Sequence, residues 1–222
     1  AGAAITTGVQ NTLIGGLAGD ALTDADYNIA LGYQALSGDT LGSRSLAIGR
    51  RALATQNFTS ATNSYNLAIG YAAGEAITTG VQNTIIGGDA GDATTTGEKN
   101  TAVGHNSLGA NTTGSGNTTV GSYSLDANTT ADDNTAMGQS ALGQNTTGAS
   151  NTALGRSALT ANTTASNNTA VGKDAGAAIT TGADNTIIGA AAGDALTVGN
   201  SNTAVGQNAL SLDTKGDLNT AI

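Results

Sequence analysis

A pentapeptide of the form Asn-Thr-Ala-(Val/Ile/Leu)-Gly returns along this chain with a pitch of 17 residues. Repeats open at Asn11, Asn28, Ser45, Asn66, Asn83, Asn100, Asn117, Asn134, Asn151, Asn168, Asn185 and Asn202, and a last one begins at Asn219. Only the step from Ser45 to Asn66 is longer, by four residues, and it carries an insert around Asn57 to Tyr65. Self-similarity at such a period specifies a stacked architecture in which each repeat contacts its neighbours, so it sets the fold class before any single residue does. The chain reads as one continuous array over residues 1–222: a partial unit at 1–10, twelve complete units over 11–218 with the longer one at 45–65, and a partial unit at 219–222. The predicted fold is all-β, a β-solenoid or parallel β-roll with one 17-residue unit per rung. Because Ala1–Gln10 copies the second half of a unit, as Ala73–Gln82 does, the expectation is a piece of a longer array.

Composition narrows the core. With no Trp, one Phe, five Tyr and one Met, bulk has to come from single Val, Ile and Leu residues spaced along the repeat, with Ala and Gly between them. The core is therefore thin. Thirty-three Gly without Pro exclude a collagen helix and proline-rich linkers. The strict register argues against disorder, despite the low complexity. The net charge of -9 arises from few charged residues, and the seven Lys and Arg are scattered, which disfavours nucleic acid as a partner. Without Cys, neither a disulfide nor a thiolate metal site can form. No apolar run approaches the ~20 residues of a membrane-spanning helix.

Numbering each repeat from its leading Asn, position 5 is Gly in all twelve complete units, from Gly15 to Gly206. This predicts a positive φ or a close approach of chains at a corner. A phosphate-cradling loop is disfavoured, since no helical pattern follows. Position 4 is always a sizeable apolar residue and is expected to point inward. Positions 8–9 and 13–14 form a second and a third run. Where position 9 is Leu (Leu108, Leu125, Leu142, Leu159), position 12 is Asn; where it is Gly (Gly19, Gly74, Gly176, Gly193), position 12 is Leu or Ile. Both places should face one interior volume, and Gly91 with Thr94 should leave a poorly filled rung. Asn at position 1 and Thr at position 13 are expected to form hydrogen-bonded ladders between rungs about 4.8 Å apart.

Positions 6 and 7 are where the repeat stops being strict. They hold Tyr33, Arg50 with Arg51, Tyr71, His105, Tyr123, Arg156 and Lys173, which reads as a solvent-facing corner and a possible contact strip for a glycan or protein receptor. No nucleophile, base and orienting group can be assembled around His105, and the Gly-Asp steps at Asp20, Asp92 and Asp194 lack the spacing of calcium loops. The sequence points to no cofactor, no metal and no enzyme. Asn-Thr-Thr at Asn111, Asn128, Asn145 and Asn162 fits a glycosylation pattern as a by-product of the repeat.

The strings GYQAL at Gly32–Leu36 with SLAIG at Ser45–Gly49, and NTAVG with ANTTG at Ala110–Gly114, resemble the repeats of phage tail-fibre-like proteins. The SLAIG and NLAIG forms are also similar to the head repeats of trimeric autotransporter adhesins, whose pitch is shorter. The resemblance covers all twelve units and implies a fibrous extracellular, cell-surface or virion protein that self-associates as a homotrimer. The expected role is the shaft of a fibre that spaces a binding tip from a surface. Two further expectations are adhesion through the position 6–7 strip and ice binding through Thr rows at positions 13 and 14, such as Thr112-Thr113 and Thr146-Thr147.

Overall fold

A computed structural model describes residues Ala1–Ile222 and shows an all-β parallel solenoid of about twelve turns. Its turns fall into two units, Ala1–Gly114 and Ser115–Ile222. In the first unit the strands are β1 (Thr12–Ile14), β2 (Ile29–Leu31), β3 (Gly42–Ser43), β4 (Leu46–Ile48), β5 (Thr62–Asn63), β6 (Leu67–Ile69), β7 (Thr84–Ile86) and β8 (Thr101–Val103). Strands β1, β2, β4, β6, β7 and β8 pair in that order, all parallel, and β3 pairs with β5 apart from them. The second unit holds β9 (Thr118–Val120), β10 (Thr135–Met137), β11 (Thr152–Leu154), β12 (Thr169–Val171), β13 (Thr186–Ile188), β14 (Thr203–Val205) and β15 (Thr220–Ala221), paired consecutively. Register is residue on equivalent residue: Thr135 faces Thr152, and across the insert Leu46 faces Leu67. The extra residues thus leave the main sheet in step.

Each repeat supplies only one strand to the main sheet. The second and third runs, at positions 8–9 and 13–14, are turns and bends, yet their backbones still bond from rung to rung, as in Leu142 N–H to Ala158 O at 3.0 Å and Thr146 N–H to Thr163 O at 2.8 Å. Stacking satisfies the main chain where no strand exists.

The expectation that position 4 points inward is overturned. Position 3 is the buried one: Ala30, Ala47, Ala68, Ile85, Ala102, Thr119, Ala136, Ala153, Ala170, Ile187 and Ala204 are sealed from solvent. Position 4 faces out, with Ile14 58 % and Met137 44 % exposed. Strand alternation gives the reason: the buried Asn of position 1 fixes the parity, so position 3 shares its side and position 4 takes the other. A column of aliphatic side chains therefore lies on the outer face of the sheet.

The exchange between positions 9 and 12 is confirmed. Leu108, Leu125, Leu142 and Leu159 are fully buried, and so are Leu22, Ile77, Ile179 and Leu196 from the other kind of repeat. The backbone explains why Gly is the alternative to Leu at position 9: that position has positive φ throughout, 50° at Leu159 and 59° at Gly176. Left-handed backbone costs a Leu about 1–2 kcal/mol that a Gly avoids, and the buried aliphatic group offsets it. The rung of Gly91 and Thr94 is not poorly filled, contrary to expectation. Ile85, an inward residue at position 3, brings its Cδ1 to 3.1 Å of where a Cβ on Gly91 would stand.

One rung shows the cost of mixing the two kinds of repeat. Asn145 Nδ2 donates to Asn128 Oδ1 at 3.3 Å and Asn162 Nδ2 to Asn145 Oδ1 at 2.8 Å, but the next residue in the column is Ile179, and Asn162 Oδ1 is left buried with no partner. Leu159→Gly alone should lose about 2–5 kcal/mol through the cavity it opens. Adding Asn162→Ile should restore part of that, because it refills the volume, while the unpartnered oxygen passes from Asn162 to Asn145, whose Oδ1 loses its donor. Urea unfolding of the single and double variants measures the difference, and equal losses would refute the shared volume.

The insert is held by a buried polar network in the first unit. Asp39 accepts from the N–H groups of Gly42 and Phe58, both at 3.0 Å, and from Gln56 Nε2 at 2.6 Å. Gln56 also donates to Ser45 Oγ at 2.8 Å and accepts from Asn66 Nδ2 at 2.8 Å, while the Ser45 and Ser64 hydroxyls share a 2.6 Å bond. Ser45 replaces the usual Asn because Ser64, brought in by the insert, takes part of its place.

Candidate functional site: the outer sheet face and its corners

The outer face of the sheet consists of position 2 and position 4, with position 6 at the corner after the Gly and position 17 just before the buried Asn. Because the rungs are in register, each position becomes a column. In the first unit the position 6 column runs Gly16, Tyr33, Arg50, Tyr71, Gly88, His105. The structure thus brings Tyr33, Arg50 and Tyr71 onto consecutive rungs. Arg50 Nη1 donates to Tyr71 Oη at 3.1 Å, and its guanidinium carbon lies 5.4 Å from the centre of the Tyr71 ring. Arg51 belongs to the half-buried position 7 column and pairs with Glu75. His105 is exposed two rungs beyond Tyr71 and is not part of this group.

The other expected contact residues belong to the second unit. Arg156 and Lys173 occupy successive rungs of its position 6 column, and both approach the Asp174 carboxylate, at 3.9 Å and 3.3 Å. Tyr123 sits at position 7 with positive φ and is exposed. No shared cluster joins Tyr123 to these two. The position 6–7 strip is therefore two local groups within the two units, and each cation in it, Arg50 to Tyr71, Arg51 to Glu75 and Arg156 and Lys173 to Asp174, already has a partner on a neighbouring position.

Sequence reasoning missed a second column. Position 17 holds Tyr27, Arg44 and Tyr65 on the same three rungs as Tyr33, Arg50 and Tyr71. Arg44 lies 4.7 Å over the Tyr27 ring and donates from Nε to Asn63 Oδ1 at 3.0 Å, a residue supplied by the insert. Tyr27, Tyr33, Tyr65 and Tyr71 are each between 47 % and 54 % exposed. The signal was present in the aligned repeats, since these rungs also hold Ile29, Leu46 and Leu67 at position 2, where ten other repeats hold Thr.

The Thr rows proposed at positions 13 and 14 are not equivalent. Position 13 hydroxyls are engaged: Thr95, Thr146 and Thr163 each donate to the carbonyl of the Thr one rung on, at 3.0, 2.9 and 3.2 Å. The ladder at that position is side chain to backbone. Position 14 is exposed but lies in a bend. The Thr column that stands on the sheet is position 2, Thr118, Thr135, Thr152, Thr169, Thr186, Thr203 and Thr220 in the second unit.

No concave pocket and no group of His, Cys, Asp or Glu suited to a metal ion occurs on this surface. The Asp92 carboxyl is raised from its ordinary value by burial first and by Asp89 next, with Glu75 adding in the same direction against the Asp92 and Ala93 backbone N–H groups. What this face offers chemically is contact area: aliphatic columns, Thr hydroxyls, and guanidinium groups held over Tyr rings. Comparison with protein-family models, with curated proteins and with solved structures returns no match.

Proposed function

We propose that this chain is the shaft of an extracellular or virion surface fibre that holds a binding element away from the surface carrying it, and that it works as a homotrimer. The observation that carries the reading is the buried Asn column. The Asn side chains of position 1 accept from the backbone N–H of the next rung and donate to a carbonyl within their own, as Asn151 does toward Asn168 at 3.0 Å and Ala165 at 2.9 Å. Such a column stiffens every turn against the next and invests the repeat in stacking instead of in a cleft. Self-association is assigned to the outer face of Ser115–Ile222, where Thr at position 2 and Val120, Met137, Leu154, Val171, Ile188 and Val205 at position 4 form uncharged, in-register columns. Parallel in-register sheets bury aliphatic rows by packing face to face.

Met137→Lys with Val171→Lys and Ile188→Lys should convert the oligomer to monomers without changing the circular dichroism spectrum, because all three side chains face outward and are not core residues. Native mass measurement at micromolar concentration reads the result. A wild-type protein that is already a stable lone monomer overturns the trimer. Antibody labelling of intact particles or cells, viewed by electron microscopy, tests the location. The outward Thr column of the second unit supports ice binding as a second reading, on position 2 instead of positions 13 and 14. Absence of thermal hysteresis in the purified protein removes it.

A further inference from the structure

Three consecutive rungs, with strands that open at Asn28, Ser45 and Asn66 and with the position 17 residue just ahead of each, depart from the rest of the array in three outward columns at once, while position 4 stays aliphatic as elsewhere. Position 17 is Tyr27, Arg44, Tyr65; position 2 is Ile29, Leu46, Leu67; position 4 is Leu31, Ile48, Ile69; position 6 is Tyr33, Arg50, Tyr71. Folding does not demand the change at position 2, because ten other repeats build the same strand with Thr there. Four of the five Tyr and three of the seven cationic residues of the chain gather on these rungs, counting Arg51 beside Arg50. The insert falls in the same place and supplies Asn63 to fix Arg44. An aliphatic centre edged by Tyr and Arg, with no Lys or Glu among these twelve positions, has the composition of a protein–protein contact.

We propose that this face of the first unit is a docking surface for a partner protein that presents a flat apolar strip with a carboxylate on each side. The two guanidinium groups set the spacing. Arg44 and Arg50 are six residues apart on one rung, so their Cα atoms, and with them the partner's carboxylates, are separated by at most about 20 Å across the strip. Each Arg is held over a Tyr ring, Arg44 over Tyr27 and Arg50 over Tyr71, which orders the charge before the partner arrives and leaves guanidinium N–H groups for a carboxylate. A second copy of this chain is disfavoured as the occupant. A two-fold axis in the plane of the face and through its middle rung lays Arg row on Arg row, with like charges opposed. An anionic membrane is disfavoured by the net charge of -9. Six aliphatic side chains make a poor floor for a polyhydroxylated sugar. The face measures at most roughly 20 by 15 Å, about 300 Å², well under the ~800 Å² per partner of a standard stable complex, so the contact is weak and reversible.

The test is selection of a displayed library of random 12-residue peptides on the whole protein. Its controls are Ile29→Thr/Leu46→Thr/Leu67→Thr, which restores the residue the array uses elsewhere, and Arg44→Ser/Arg50→Gln. Matching thermal melts verify that the variants fold. The expected result is enrichment of peptides with Asp or Glu on both sides of an apolar run, with affinity lowered tenfold or more by either variant. Enrichment equal on wild type and the triple Thr variant overturns the proposal, as do enriched peptides without carboxylates. A saccharide array bound by wild type and lost in the triple variant overturns it in favour of a glycan, and wild-type self-association lost in that variant overturns it in favour of a second copy. Loss of self-association in the Met137, Val171 and Ile188 variant bears on the shaft reading alone, so the two fail separately.

Discussion

Gly138→Ala is expected to lower stability by about 2–6 kcal/mol, adding ~1–3 for a side chain forced into a backbone region open essentially to Gly to ~1–3 for overpacking against fixed atoms. Gly138 has φ of 134°, and a Cβ on it would stand 2.6 Å from both the carbonyl carbon and the oxygen of Gly155 on the next rung. Neither demand can be relaxed locally. The obstructing atoms are backbone, and Gly155 is itself locked by the same contact with Gly172. In a stacked array each turn is stabilised chiefly by its neighbours, so a rung pushed outward weakens two interfaces instead of one. Thr147→Ala, on an exposed bend of the same unit, is the control and should change stability by less than ~0.5 kcal/mol. Urea unfolding followed by far-ultraviolet circular dichroism measures both. A Gly138→Ala protein indistinguishable from the control would mean that the invariance of position 5 has another cause.

How far the repeat could be read from sequence depended on what kind of information each position carries. The 17-residue period specified parallel stacking because register is itself a periodicity, and the pairing of Thr135 with Thr152 follows from it directly. The exchange of Leu and Gly at position 9 with Asn and Leu or Ile at position 12 was legible because conserved volume leaves a correlated trace. The side on which position 4 lies was not. Apolar character suggests an inward side chain, whereas parity is fixed by a polar residue, the buried Asn of position 1, and the inward residue that shares its side is usually only Ala. In a coil this narrow, Ala suffices for the core, and the larger aliphatic groups are free to cover the outside. The positive φ of Leu142 and Leu159 was equally hidden, since Leu rarely signals left-handed backbone; the only trace was that Gly substitutes for it in other repeats. For the candidate site, the position 6 column was visible as variability. The position 17 column was not, because Tyr27, Arg44 and Tyr65 gain meaning only when the outward columns on either side of the sheet are compared rung by rung.

Asn151→Leu should destabilise the second unit by about 1–3 kcal/mol, the cost of leaving the buried Asn168 N–H without its partner, since Ala165 O keeps the donor it has in Asn162 Nδ2. Asn151 Oδ1 accepts from Asn168 N–H at 3.0 Å, and its Nδ2 donates to Ala165 O at 2.9 Å and to Asn134 Oδ1 at 3.1 Å, all of them sealed from water. Leu has similar volume, so the loss reports hydrogen bonding and not a cavity. Asn151→Asp separates the two halves of the amide. It keeps an acceptor for Asn168 but places a buried carboxylate against Ala165 O and Asn134 Oδ1, the two acceptor oxygens that face the amide nitrogen it replaces. Burial and those oxygens raise the folded-state pKa of the new carboxyl above its unfolded value. The sign follows: the variant is least stable at neutral pH and regains stability as pH falls through the raised pKa, because the protonated carboxyl can donate again. Asn151→Leu has no such group and should show no recovery relative to wild type. Hydrogen exchange at the Asn168 amide gives the local readout, with protection lost in Asn151→Leu and retained in acid for Asn151→Asp. Parallel pH dependence of the two variants would show that the column stabilises the stack by packing and not by its hydrogen bonds.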